Sequence, residues 1–110
     1  MKVLSFVGAV ALAASFSSAA LASPELATKS GCLACHAADK KVIGPSYKDV
    51  AKKYAGDAGA EAKLIKTVKN GSNPAELHWK DVTGGMPMPA NAHVADADIK
   101  TLVKWVLSQK

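Results

Sequence analysis

Residues 32–36 read Cys-Leu-Ala-Cys-His and contain every cysteine of the 110-residue chain. Two thiols three positions apart fall on one turn, where both can add to vinyl groups of a single porphyrin. The histidine that follows is then held beneath the ring with a nitrogen towards the iron. C-x-x-C-H at this spacing is the attachment signature of a c-type haem. A redox disulfide needs only the two cysteines, but its thioredoxin-like setting asks for strands and a βαβ pattern that the sequence does not offer. A zinc site would need further ligands from His36, His78 and His93, and His36 stands too close to Cys35 for ordinary zinc spacing. Covalent haem therefore constrains this fold more than any other feature, because the helices must wrap one ring.

The rest of the chain agrees with that constraint. Lys2, an apolar run over residues 3–16 and small residues ending in Ala20-Leu21-Ala22 form a secretory leader, with cleavage expected after Ala22. A membrane-spanning helix is the competing reading, but the basic start, the Ala/Ser content and the A-x-A ending favour removal. Residues 23–110 then form one exported domain in which no stretch approaches the length of a membrane span. So short a chain buries a modest core and needs a staple, which a covalent haem supplies. The net charge is +5, and all fourteen cations are lysine. With no arginine, base reading and bidentate phosphate recognition are disfavoured, and nucleic acid is not an expected partner. The positive field suits acidic partner proteins.

Apolar periodicity reads as all-α. A first helix is expected from Ser23-Pro24 towards Gly31. A second follows Gly44-Pro45, with Tyr47, Val50, Ala51 and Tyr54 on one stripe that stops before Gly56. A third spans roughly 59–69, with Ala60, Leu64, Ile65 and Val68 inward, ended by Asn70-Gly71. The fourth carries Ile99, Leu102, Val103, Val106 and Leu107, with Asp96 placed to cap it and Trp105 expected against the first helix. Long loops remain at 37–44 and 71–95. A loop of about 25 residues in so small a domain asks for a function.

That loop holds Gly84-Gly85-Met86-Pro87-Met88-Pro89-Ala90-Asn91. His36 leaves one iron position open. A thioether there gives a closed six-coordinate iron with a raised potential, whereas an open position binds small molecules. Without the leader only Met86 and Met88 offer a thioether. Neither lies on a helical stripe, so core packing is a weak reason for them. Both precede a proline, but only Met88 stands between two, and its backbone is the more restricted. His78 and His93 are rival sixth ligands, each more simply read as a solvated loop residue. Trp79 either closes the haem crevice or donates its indole N–H to a haem propionate.

GCLACH (31–36), IGPSYKDVAKKYAG (43–56), VKNGS (68–72), MPMPAN (86–91) and KWVLSQK (104–110) occur in an order that resembles the small bacterial class I cytochromes c of the c-551/c-552 type. The resemblance implies an all-α class I cytochrome c fold, with about four helices around one haem c held by Cys32 and Cys35. It implies axial ligation of the iron by His36 and Met88, a Pro45 carbonyl orienting His36, and an Asn91 hydrogen bond to the Met88 sulfur. Met86 is left as pocket packing. The implied function is that of a monomeric periplasmic one-electron carrier between respiratory redox proteins, such as a quinol-oxidising complex and a terminal oxidase or nitrite reductase. Lys40, Lys41, Lys80 and the lysines of the second helix are candidate docking charges. Two departures stand out: residues 73–85 are several residues longer than the family's bridge, which carries Trp79 away from Met88, and Ala27 is small where the family often has an aromatic residue. A haem enzyme or small-ligand sensor with an open or labile sixth position is the alternative, and a disulfide oxidoreductase the third.

Overall fold

The computed structural model describes residues 23–110, so the expected leader over 1–22 lies outside the described residues. Five α-helices follow in order: α1 (Ser23–Lys29), α2 (Tyr47–Lys53), α3 (Ala60–Asn70), α4 (Lys80–Thr83) and α5 (Asp96–Leu107), with a 3-10 turn at Cys32–Ala34 between α1 and α2. No strand forms among the described residues; a single antiparallel bridge links His36 and Lys41.

α5 is the hub, packing on α1, α2 and α3. Its i, i+3, i+4 residues divide between two apolar clusters. Leu102 joins Leu26 and Ala27 of α1, with Trp105 and Cys32 packed against them. Ile99 and Val103 join Val94, against which Leu64, Ile65 and Val68 of α3 and Leu107 pack. Ile99 is fully buried, and burial of such a side chain is worth about 2 kcal/mol. The expected contact of Trp105 with α1 is present. Ala27 is completely buried, so this small residue is a core position.

The helix ends follow local chemistry. Ser46 has an extended backbone and its Oγ accepts the Asp49 N–H at 3.1 Å, which caps α2. Ser46→Ala should cost about 1 kcal/mol in denaturant unfolding, as cap deletions generally do. Before α3, the Asp57 carboxylate accepts the Gly59 N–H at 2.9 Å and pairs with Lys63 at 3.3 Å. The Gly59 N–H first, and Lys63 after it, hold that carboxyl below its ordinary range.

Two expectations change. Asp96 does not cap α5: Ala95 occupies the cap position without a side-chain bond, while Asp96 lies in the first turn and forms an ion pair with Lys69 of α3. An acidic first turn still suits the positive end of the helix dipole. The 71–95 loop contains α4, which starts after Trp79 and ends at Gly84 with φ 66°, a left-handed conformation that glycine adopts without strain. Four residues are too few to show a helical period, so this helix was invisible in the apolar pattern. Among the described residues, no helix is long and apolar enough to cross a membrane.

Candidate functional site

α2, α3, α5 and the two loops enclose a cleft of about 250 Å³. Cys32, Cys35, His36, Pro45, Trp79 and Met88 all line it, as do apolar side chains such as Val50, Leu64, Leu102 and Val103. Residues separated by more than fifty positions in sequence thus share one apolar space.

The Cys32–Ala34 turn begins at Gly31, whose φ of 81° lets the chain leave α1 and enter the tight helix directly. In a 3-10 turn residues i and i+3 lie on one face, which sets Cys32 and Cys35 side by side. Both are half-buried free thiols. Burial pushes the Cys32 thiol above its ordinary pKa and keeps it protonated.

His36 is held from three sides. Its Nδ1 lies 2.7 Å from the Pro45 carbonyl oxygen. A carbonyl can only accept, so Nδ1 carries the proton and Nε2 is left with a free lone pair. The imidazole stacks on Tyr47 with centroids 5.4 Å apart, and Tyr47 meets Trp105 edge-on at 5.2 Å. Burial raises the Tyr47 hydroxyl above its ordinary value, so this support stays neutral. On the third side is Gly44, where a Cβ would lie 2.7 Å from His36 Cε1. Loop 37–44 closes behind it, because the Cys35 carbonyl accepts the N–H groups of both Ile43 at 3.2 Å and Gly44 at 2.7 Å.

The methionine side is built from the end of α3. Gly71 turns the chain with φ 82°, and a Cβ there would lie 2.9 Å from the Met88 carbonyl oxygen. Ser72 then grips Met88 twice: its N–H donates to the Met88 carbonyl at 2.9 Å and its Oγ accepts the Met88 N–H at 3.1 Å. Met88 is half-buried, whereas Met86 is 57% exposed at the rim of the same cleft. Asn91 ties the methionine loop to α3. Its Nδ2 donates to the carbonyls of Val68 at 3.1 Å and Pro89 at 3.2 Å, and its backbone N–H also reaches Val68 O at 3.0 Å.

The 73–85 segment forms another wall. Trp79 is half-buried, with the Lys53 ammonium 4.6 Å from its ring centroid, and the same ammonium donates to the His78 carbonyl at 3.0 Å. Lys53 thereby ties α2 to this segment. His78 is exposed on the cleft wall, and His93 stands by the Ser30 carbonyl with Nε2 at 3.3 Å. Lys40, Lys41 and Lys80 are exposed, while Lys48 pairs with Asp39 at 2.5 Å. Among the described residues the large apolar side chains Leu33, Val42, Ile43 and Met86 are exposed as well; Ile43 and Met86 sit at the cleft.

Sequence reading missed the site roles of Ser72, Gly71, Gly44 and Tyr47, and took Lys53 only as one of the candidate docking charges of the second helix. Gly44-Pro45 could have signalled a close backbone approach. The other contacts join segments distant in sequence and leave no local pattern.

The donor set fits a covalently held haem: two adjacent thiols, an imidazole nitrogen freed by a carbonyl, a thioether and apolar walls. Comparison with known proteins points the same way. Residues 22–110 match the family model described as Cytochrome c. The chain is 56% identical over 88 residues to cytochrome c-551 of Pseudomonas aeruginosa, covering 79% of this chain and 77% of that protein. It is 43% identical over 91 residues to cytochrome c-552 of Nitrosomonas europaea, covering 83% and 82%. The crystal structure of wild-type Nitrosomonas europaea cytochrome c552 superposes with a TM-score of 0.70 at 42% identity, over 79% of this chain and 99% of that one.

Proposed function

Because the chain belongs to the cytochrome c family, whose members carry covalently attached haem, we propose that it is an exported one-electron carrier with His36 and Met88 as axial ligands. When bound, the haem supplies a ferric/ferrous couple that exchanges one electron without gain or loss of atoms. Everything else falls to the polypeptide. Cys32 and Cys35 provide the two thioether links. Pro45 accepts the proton-bearing Nδ1 of His36 and so keeps Nε2 available and aimed. Ser72 and Asn91 hold the backbone that presents Met88. Val50, Leu64, Leu102 and Val103 keep water from the cleft.

The observation that carries this reading is that His36 and Met88 face one apolar cleft, each fixed by hydrogen bonds to a neighbouring segment. A carrier needs unchanged ligation in both oxidation states, and a rigid frame on both sides favours that over an open site. Residues 1–22 are the leader in this reading, removed after Ala22 to release a monomer into the periplasm. Its partners are redox proteins with acidic docking faces, of the kind that connect quinol oxidation to a terminal oxidase or nitrite reductase.

Absorption spectra of the oxidised and reduced holoprotein test the ligation. A low-spin ferric spectrum with a weak long-wavelength sulfur-to-iron band, and a ferrous form that does not take up carbon monoxide, are expected. A high-spin resting spectrum with ready carbon monoxide binding would replace the carrier by a ligand-binding haem protein. Lysine docking is tested separately by stopped-flow mixing with an acidic redox protein. The second-order rate should fall severalfold between low and physiological ionic strength, as charges become screened over about 8 Å. A rate indifferent to salt removes electrostatic docking.

A further inference from the structure

Met86-Pro87-Met88-Pro89 is a two-residue repeat, and its period creates an ambiguity. A residue before proline is biased towards extended backbone, and in extended backbone residues two apart point to the same side. A shift of this segment by one repeat would set Met86 where Met88 stands, with the same side-chain direction and a proline again following. Both methionines already line the cleft. Upstream, such a shift would open the turn through Gly84 and Gly85, with φ 66° and 90°, which is closed by the Met86 N–H to the Thr83 carbonyl at 3.3 Å. The Met-Pro unit alone therefore does not select its methionine.

We propose that Ser72 fixes the register of this loop, so that Met88 and not Met86 is offered to the iron; the proposal rests on the axial role given to Met88 above. Ser72 grips Met88 through both backbone groups, once with its N–H and once with its hydroxyl oxygen. Three residues later Asn91 is held to Val68, and Val68 and Ser72 are themselves joined through the rigid end of α3 and Gly71. The two grips act as a ruler. With Asn91 anchored, bringing Met86 under Ser72 would force residues 87–90 to bulge. Ser72 at its place leaves only Met88 at the right distance. The hydroxyl is the removable half of the grip, because the backbone bond remains in any variant. Ser72 is thus a positioning residue that acts through the loop backbone and does not itself touch the cofactor.

The test uses ferrous holoprotein with methionine methyl groups labelled in carbon-13. A methionine bound above the haem is displaced far upfield by the ring current and is counted directly by NMR. Wild type should show one such methyl. Ser72→Ala should show a second, because loss of one hydrogen bond raises the Met86:Met88 ratio about tenfold, which lifts a minor form of about one per cent, too weak to see in wild type, to roughly one tenth of the total. That second signal should vanish in Ser72→Ala/Met86→Leu and be absent from Ser72→Thr, which restores the hydroxyl. A single unchanged methyl in Ser72→Ala overturns the proposal. So does loss of every upfield methyl irrespective of Met86, which would make Ser72 a support of the whole loop and not a selector. Failure of the underlying ligand assignment is read separately: the wild-type signal would then survive Met88→Ala.

Discussion

Gly44→Val should leave the haem attached but disrupt its histidine side, giving a protein with high-spin character and an unfolding free energy reduced by about 3 kcal/mol, seen as a lower denaturation midpoint. A Cβ at residue 44 would lie 2.7 Å from His36 Cε1, 3.0 Å from Nδ1 and 3.2 Å from Nε2, so all three imidazole atoms are crowded at once. The backbone has no room to withdraw. Gly44 N–H is bonded to the Cys35 carbonyl at 2.7 Å, and Pro45 follows with a restricted φ. The imidazole must therefore move, away from the Pro45 carbonyl that accepts its Nδ1 proton. Gly44 is not among the glycines with positive φ, so the effect is one of space and not of backbone strain. Gly44→Ala should accordingly act in the same direction with a smaller amplitude. Covalent attachment depends on Cys32 and Cys35, which neither variant touches, and haem staining of a denaturing gel should remain positive. An unchanged visible spectrum together with an unchanged midpoint would show that His36 tolerates the added carbon, and the account of its positioning would fail.

What was legible in the sequence divides along a physical line. Features written in consecutive residues were readable: the Cys-x-x-Cys-His turn, the apolar stripes of α2, α3 and α5, and the Gly-Pro and Asn-Gly boundaries. The family resemblance added the order of motifs and, with it, the fold. Features written as contacts between distant segments were not readable. Ser72 and Met88 are bonded across sixteen residues and Lys53 and His78 across twenty-five; neither pair has a periodic signature. Asp96 shows a subtler failure. Its residue type suits a helix cap, but capping requires a non-helical backbone at that position, and the chain places that conformation at Ala95. The bond from Asn91 Nδ2 to the Val68 carbonyl spans twenty-three residues and likewise leaves no local signature.

Met88→Ala and Met86→Ala should separate sharply, although the two residues share a Met-Pro context and a cleft. Met88 is half-buried and its backbone is bonded on both sides to Ser72. Removing its side chain deletes the thioether and opens a space in an apolar wall, which should lower stability by about 2 kcal/mol. The ferric sulfur-to-iron band should disappear, the ferrous form should bind carbon monoxide, and the potential should fall, because thioether ligation is what raises it. Met86 is 57% exposed, and truncation of a surface side chain typically changes stability by about 0.5 kcal/mol or less. Met86→Ala should keep the band, the closed site and the potential. Visible titrations in both oxidation states, with and without carbon monoxide, read all three properties. Inverted results would exchange the roles of the two methionines. Retention of the band in both single variants, with loss only when both are changed, would mean that either thioether can serve. In that case the grip of Ser72 and the anchor of Asn91 would set a preference between them and not an exclusive choice.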